Sequence, residues 1–137
     1  MLQQDYFIRL IREFFAALAR ALEKNEVEAQ SEAVHELYRQ YLGSYEFFQN
    51  ATNEEAMDYI QLHYPEEQRI QRLEMLAELY YAEADLRAYP IGETLLTRAL
   101  PLFEYVDRHS GIFSIMRTQK IDAIRRRINA NRSTDEH

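Results

Sequence analysis

The sequence predicts an all-α protein of about five to six antiparallel helices, packed as a right-handed helical array or as an irregular bundle. Only 3 glycines and 3 prolines occur among the 137 residues, too few for the many tight turns of a sandwich or barrel. Through most of the chain, apolar residues recur at the three- and four-residue spacing of a helical face. Because 47% of the residues are hydrophobic, a chain of this length is expected to bury one core.

Residues 1–129 are predicted to form a single domain, because no linker long enough to divide them is found. The first helix is predicted over Asp5–Lys24, with Asp5 as its N-cap. The second, about Glu26–Leu42, is predicted to end at Gly43, since glycine readily adopts the left-handed conformation that follows a helix. The short connection between them favours antiparallel packing.

Two further helices are predicted in the middle of the chain. Residues 44–51 are rich in aromatic side chains without a clear period, which leaves open a turn or a brief helix. Thr52 and Glu55 have the spacing of a capping box at the start of a short helix. Pro65 suits the first position of the next helix, which is predicted to run to about Ala88.

Two helices are predicted in the last third of the chain. Pro90 precedes one over about Ile91–His109, which Pro101 should bend. The last helix is predicted over about Phe113–Asn129, and the composition of residues 130–137 after it predicts a disordered C-terminal tail. The apolar stripe of the last helix comprises Phe113, Met116, Ile121, Ile124 and Ile128.

Composition disfavours several classes of protein. The absence of cysteine excludes disulfides and thiolate chemistry and makes the cytoplasm the expected compartment. The first residues lack the basic start of a signal peptide, and Arg9, Arg12 and Glu13 interrupt the apolar run, so no membrane span is expected. The net charge of -7 disfavours nucleic acid as a partner, because phosphate binding needs a basic face.

The charge is distributed unevenly along the chain. From Phe113 onward six basic residues stand against three acidic ones, so this segment carries +3 and the remainder -10. Arg125, Arg126 and Arg127 spread around the outer arc of the last helix. They are candidates for binding a phosphate or an acidic partner. The favoured interpretation is that they complement the helix dipole and pair with the acidic body.

One motif raises the question of a metal site. Glu32 and His35 have the i, i+3 spacing by which helices of di-iron bundles present a carboxylate and an imidazole, and Glu28 lies near the same face. Such bundles need this motif twice, and none of the other three histidines completes a second copy. A solvated acidic face is therefore the favoured interpretation, and no metal or other cofactor is predicted.

Asp107, His109 and Ser110 share the residue types of a hydrolase triad. Members of a triad meet from separated segments, however, and the nucleophile needs an exposed turn with an oxyanion hole. We therefore interpret His109 as a cation near the end of a helix that stops at Ser110 and Gly111. The sequence predicts no catalytic residue and no enzyme.

Two further features indicate binding surfaces. Tyr59, Tyr81 and Tyr89 lie beside or off the apolar stripes, so they join the three consecutive arginines as candidate partner-binding side chains. In the first helix, Phe14–Leu18 would be exposed and would drive formation of a homodimer if the other helices left it uncovered.

The opening segment "DYFIRLIREF" (Asp5–Phe14) resembles the start of a bacterial family of small helical proteins known only as a domain of unknown function. In that family a D-Y-x-x-R-x-I segment opens the first helix, and Asp5, Tyr6, Arg9 and Ile11 match it here. In outline the resemblance spans most of the chain. It implies a tetratricopeptide-like helical pair later in the chain and no assigned activity.

Residues 76–100 also resemble one tetratricopeptide unit, although the segment between its two helices is about three residues longer than in the standard unit. This is a degenerate repeat, of a kind whose relatives present a concave surface to a peptide or protein. The matching positions are Leu76, Ala77 and Tyr80 in the first helix and Leu96 and Ala99 in the second.

Taken together, these features predict a non-enzymatic, tetratricopeptide-like helical protein that binds a protein or peptide partner or associates with itself. The alternative is a small helical metal-binding protein or enzyme that uses Glu28, Glu32 and His35.

Overall fold

The computed structural model describes the backbone of residues 2–135 and the side chains of residues 5–132. Within this range the chain is all-helical and has no strand, so the predicted all-α class is confirmed, while the tetratricopeptide-like arrangement stays a prediction. The described residues form seven helices, and the predicted count of five to six is too low because residues 44–51 contain a short helix. The helices are α1 (Leu2–Leu22), α2 (Val27–Leu42), α3 (Glu46–Asn50), α4 (Asn53–His63), α5 (Glu66–Ala84), α6 (Ile91–His109) and α7 (Ile115–Asp135).

Helix α5 is the central element of the fold. It packs against α1, α2, α4 and α6, and α7 packs against α6. Nearly every side chain from Arg72 to Ala84 is buried, as expected of a helix that is covered on all sides. Large aromatic side chains from four other helices surround it, and burial of each contributes roughly 1.5–3 kcal/mol. Those side chains are Phe14, Tyr38, Phe48 and Phe103.

Two local signals for helix ends are confirmed. Thr52 Oγ1 accepts a hydrogen bond from the Glu55 amide at 3.1 Å, and Glu55 Oε1 accepts one from the Thr52 amide at 3.0 Å, which completes the capping box. Gly43 follows α2 with φ of 92°, and a Cβ atom there would lie 2.7 Å from Tyr59 Oη. Glycine therefore meets both the backbone and the steric requirement at this turn.

Three boundaries differ from the prediction. Helix α1 begins at Leu2, so Asp5 lies within its first turn and not at the N-cap. Helix α5 ends at Ala84, four residues early. The backbone of α6 lies close to this end, since a Cβ atom on Gly92 would lie 2.7 Å from the Ala84 carbonyl oxygen. Helix α7 runs to Asp135 and so includes most of the segment for which a disordered tail was predicted; residues 136–137 lie outside the described residues.

The hairpin of α5 and α6 fills the core. Each of the five side chains that match the tetratricopeptide pattern is buried, and Tyr80 Oη donates a hydrogen bond of 2.7 Å to the Phe48 carbonyl oxygen. None of these five side chains is free to line a groove. In residues 2–135 no helix combines the length and the apolar character that crossing a membrane requires.

Candidate functional site

The most polar part of the core surrounds the carboxylate of Glu83 on α5, a residue with 0% exposure. Its Oε1 accepts hydrogen bonds of 2.8 Å from Tyr38 Oη and from Gln49 Nε2. Its Oε2 accepts one of 2.8 Å from Tyr45 Oη and one of 3.1 Å from Arg87 Nη1. These five residues, here called the Glu83 cluster, connect α5 to α2 and to α3 with the turn before it.

The hydrogen bonding of the Glu83 cluster favours a structural role. Two carboxylate oxygens offer about four lone-pair sites, and four donors occupy them. Burial, together with the charge and the hydrogen bond of Glu83, raises the pKa of Tyr38 well above its usual value and that of Tyr45 to about 12. Both hydroxyls therefore stay protonated as donors. All lone pairs of the Glu83 carboxylate accept hydrogen bonds within the cluster, so none is free to accept a proton from a substrate.

His35 closes the outer side of this cluster. Its ring stacks on Tyr45 with 3.8 Å between centroids, and its Nε2 lies 3.6 Å from Glu83 Oε2, too far for a hydrogen bond. Burial lowers the pKa of His35; the charge of Glu83 opposes this shift, while those of Arg39 and Arg87 add to it. The ring is therefore neutral near pH 7, and the contact with Glu83 is not an ion pair.

The residues of the alternative metal motif, Glu28, Glu32 and His35, do not converge. Glu28 and Glu32 are exposed, whereas His35 is turned toward Glu83. Among the side chains that the structure describes, no group of three histidine, aspartate or glutamate residues is placed to hold a metal ion. The groove of about 530 Å³ beside Glu32 and His35 is also lined by Lys24, Glu36 and Arg39. Its two carboxylates therefore stand beside two positive charges, which oppose binding of a cation.

The stability of the protein should depend on pH through His35. Because the folded state lowers the pKa of His35 below its ordinary value of 6.5, the unfolded chain takes up this proton first as the pH falls. The stability that neutral His35 gives the fold is fully present above about pH 6.5. It is lost as the pH falls through the lowered pKa of His35 in the folded state.

We expect the free energy of unfolding, measured in urea, to fall less between about pH 7 and pH 5 in His35→Gln than in the wild type. His63→Gln, at an exposed histidine of α4, is the control, and equal slopes for His35→Gln and wild type would contradict the prediction.

A second buried charge, Arg117 on α7, organises the turn between α6 and α7. Arg117 is 4% exposed. Its Nε donates to Asp107 Oδ1 at 3.0 Å, and its Nη1 donates to Glu74 Oε2 at 2.9 Å. Its Nη2 donates to the Ile112 carbonyl oxygen and to Ser110 Oγ. One guanidinium thus holds the turn to both α5 and α6, an arrangement that we call the Arg117 clamp.

The adjacent Asp107, His109 and Ser110 form no catalytic relay. Asp107 and Ser110 contribute to the Arg117 clamp, whereas His109 stacks on Tyr105 and places its Nδ1 2.9 Å from the Tyr105 carbonyl oxygen. Helix α6 ends at His109, and Gly111 follows with φ of 71°. The predicted helix stop is confirmed.

The clamped turn and the first two residues of α7 present four large apolar side chains to solvent. Ile112 is 68% exposed, Phe113 76%, Ile115 62% and Met116 67%. We call these four residues the apolar loop. Single exposed apolar residues are ordinary on a protein surface, but neighbouring ones that form a patch mark interaction sites.

The prediction that Phe113 and Met116 face the core is wrong. Helix α7 begins only at Ile115, where Ser114 Oγ caps it by accepting from the Arg117 amide at 3.1 Å. Arg117 takes the inward position that the prediction gave to Met116, which turns Met116 outward. The inward stripe of α7 is Arg117, Ile121, Ile124 and Ile128.

A cleft of about 210 Å³ lies between α6 and α7. Its lining is mostly polar and charged, and none of the four residues of the apolar loop lines it. The lining residues are Glu104, Asp107, Arg108, Thr118, Ile121, Asp122 and Arg125.

Two of the three consecutive arginines pair with the acidic body. Arg125 lies 2.7 Å from Glu104, and Arg127 lies 2.8 Å from Glu93. Arg126 is exposed and makes no ion pair with the residues that the structure describes. Most of the positive charge of α7 therefore serves its attachment to the rest of the chain.

The three candidate tyrosines occupy different environments. Tyr59 is half-buried and stacks on Phe47 with 4.7 Å between centroids. Tyr81 is half-buried and meets the ring of Phe103 edge-on. Tyr89 is exposed. The structure does not bring these three side chains together into one surface, and the apolar loop, absent from the sequence-based candidates, is the larger exposed feature.

Comparisons of this chain with protein-family models, with curated proteins and with solved structures find no significant match. The resemblance of residues 5–14 to a bacterial helical family stays a prediction.

Proposed function

We propose that this protein is a non-enzymatic helical module that binds a protein partner through the apolar loop. The observation that supports the proposal is the exposure of four large apolar side chains on the turn after α6 and at the start of α7, where a buried arginine holds the turn in place. A surface that is ordered before binding loses little conformational entropy when the partner arrives. A central aromatic such as Phe113, surrounded by aliphatic side chains, is typical of residues that dominate binding energy.

In this proposal, the residues that resemble a tetratricopeptide unit serve to pack α5 against α6 and do not bind the partner. The side chains that match the repeat are buried in the core, so the partner would meet the turn after α6 and not a concave face of the hairpin. A single degenerate repeat, supported by other helices, is consistent with this arrangement, since arrays usually need three or more.

The proposal is tested by replacing Phe113 and Met116 with serine in a tagged protein and capturing partners from lysate of the native host. We expect the wild type to enrich a protein that the double variant loses. Leu62→Ser is the matched control, because Leu62 is 82% exposed and lies on α4, away from the apolar loop. Thermal unfolding of each variant separates loss of binding from loss of the fold.

The captured partner is then purified and titrated against each variant. Phe113→Ser is expected to weaken binding by a factor of about 10 or more, the usual effect of truncating a central aromatic. Equal capture by wild type and double variant, or equal loss with Leu62→Ser, would show that the partner uses another surface or binds without specificity.

A further inference from the structure

Helix α1 leaves a line of apolar side chains partly uncovered. Within the segment singled out for dimerisation, Phe14 and Leu18 are buried in the core, so that segment is not exposed as a whole. Phe15 is 38% exposed, and the side chains seven residues before and after it, Ile8 and Leu22, are 49% and 39% exposed. A spacing of seven residues places all three on one side of the helix.

Two other residues complete this line, which we call the α1 seam. Arg12 and Ala19 lie between the three apolar residues and are exposed. The resulting spacing of four, three, four and three residues is that of the contact line in a coiled coil. The α1 seam consists of Ile8, Arg12, Phe15, Ala19 and Leu22.

We propose that α1 pairs antiparallel with α1 of a second copy of this chain, centred on Phe15. In this two-fold arrangement, Ile8 packs against Leu22 of the other copy and Phe15 against its own counterpart. Arg12 lies over Ala19 of the other copy, so that the long side chain meets the small one. The contact is made by one helix from each copy, which places it among the smaller interfaces and implies a dimer that dissociates on dilution.

Charge complementarity selects the antiparallel orientation. A parallel pair would place Arg12 against Arg12 of the other copy, and opposed like charges are destabilising. In the antiparallel pair, Arg9 and Glu23 of the two copies lie within about 3 Å of each other along the helix axis, at a rise of about 1.5 Å per residue. Arg9, Arg12 and Glu23 are exposed and make no ion pair with the described part of their own chain.

This self-association goes beyond the proposed partner binding, because α1 and the apolar loop are separate elements. A dimer formed through α1 would carry two apolar loops, one from each copy. A partner with two matching sites would then bind with higher overall affinity, since the second contact is intramolecular.

The first test measures the molecular mass by sedimentation over protein concentrations from about 1 μM to about 1 mM. The mass of the wild type should rise toward twice the monomer value. Phe15→Ser should raise the dissociation constant of the dimer by a factor of about 10 or more, whereas Phe113→Ser, on the apolar loop, should leave it unchanged. A monomer at every concentration, or a dimer indifferent to Phe15→Ser, would overturn the proposal.

Charge exchange tests the orientation without disturbing the core. Arg9→Glu and Glu23→Arg change exposed residues, and each alone should weaken the dimer because it opposes two like charges. The double variant restores the pair with reversed signs and should recover the dissociation constant of the wild type. Failure of this recovery would overturn the antiparallel register.

Cross-linking gives an independent reading of the register, because the chain contains no cysteine. A mixture of Arg12→Cys and Ala19→Cys proteins should form a disulfide between the two variants, whose positions differ by only about 1.5 Å along the axis in the antiparallel pair. Neither variant alone should cross-link, since identical positions lie about 9 Å and about 12 Å apart along the axis. Efficient cross-linking of one variant alone would indicate a parallel pair and contradict the proposal.

Discussion

Replacement of Glu83 by alanine is expected to lower the free energy of unfolding by about 3–5 kcal/mol, the usual cost of removing one partner of a buried charged group. The carboxylate accepts hydrogen bonds from Tyr38, Tyr45, Gln49 and Arg87. In the variant these donors face a cavity, and each buried donor left unpaired adds to the loss. Urea denaturation measures the change.

Glu83→Gln separates the role of charge from that of volume, and Glu36→Ala is the surface control. Glu83→Gln keeps the size of the side chain but turns an amide NH₂ toward donors, so it should also be strongly destabilising. Glu36→Ala removes a carboxylate whose ion pair with Arg39 is exposed at the surface, and it should change stability by only about 0–1 kcal/mol. A loss of under about 1 kcal/mol in Glu83→Ala would mean that the cluster is not a determinant of stability.

Replacement of Arg117 by alanine is expected to cost about 2–4 kcal/mol and to release the apolar loop. The lower end of this range is included because Glu74 and Asp107, the ion-pair partners of Arg117, are partly exposed and can be hydrated once the arginine is removed. Hydrogen exchange should show faster exchange in residues 110–116, which lose their attachment to α5 and α6. The affinity for the partner should fall as well, since the loop must then be ordered during binding.

The matched variants for this prediction are Arg117→Lys and Arg125→Ala. Lysine keeps the charge but cannot reproduce the branched contacts of the guanidinium, so Arg117→Lys should retain only part of the stability. Arg125 belongs to an ion pair with exposed partners, and its removal should cost about 0–1 kcal/mol. Unchanged exchange in residues 110–116 after Arg117→Ala would show that the loop is ordered by other contacts.

Local features of the chain could be predicted because their causes are local in sequence. The capping box at Thr52 and the glycine stop at Gly43 depend on residues only a few positions apart, and both have the expected geometry. The all-helical class follows in the same way from apolar periodicity. The end of α5 at Ala84 was not predicted, and there Gly92 brings the backbone of α6 close, a contact between two helices that the pattern of one helix does not show.

The Glu83 cluster could not be predicted from the positions of its members. Tyr38, Tyr45 and Gln49 lie 34 to 45 residues from Glu83, so only the folded chain brings them together. One signal was present: the segment "MLAELYYAEA" (Met75–Ala84) has apolar residues on every side. A helix of that composition is central, and an acidic residue within it must find donors.

The apolar loop was missed because a charged residue replaced an apolar one in the buried stripe. Phe113 and Met116 fit a helical stripe with Ile124 in sequence, and hydrophobicity alone assigns such residues to the core. The observed stripe contains Arg117, whose burial depends on Glu74 and Asp107 from two other helices. The apolar pattern of one helix cannot show that acidic residues on other helices will pair with a buried arginine.

Four charged residues are buried among the described side chains, and three of them, Arg72, Glu78 and Glu83, belong to α5. Their partners lie on different parts of the fold: Arg72 donates to the Tyr41 carbonyl oxygen on α2, and Glu78 accepts from Lys120 on α7 at 2.7 Å. If either outer helix detached, a charge on the central helix would lose its partner within a partly dry interior. Partly folded states of this chain are thereby penalised, and the helices should assemble and come apart together in a single cooperative transition.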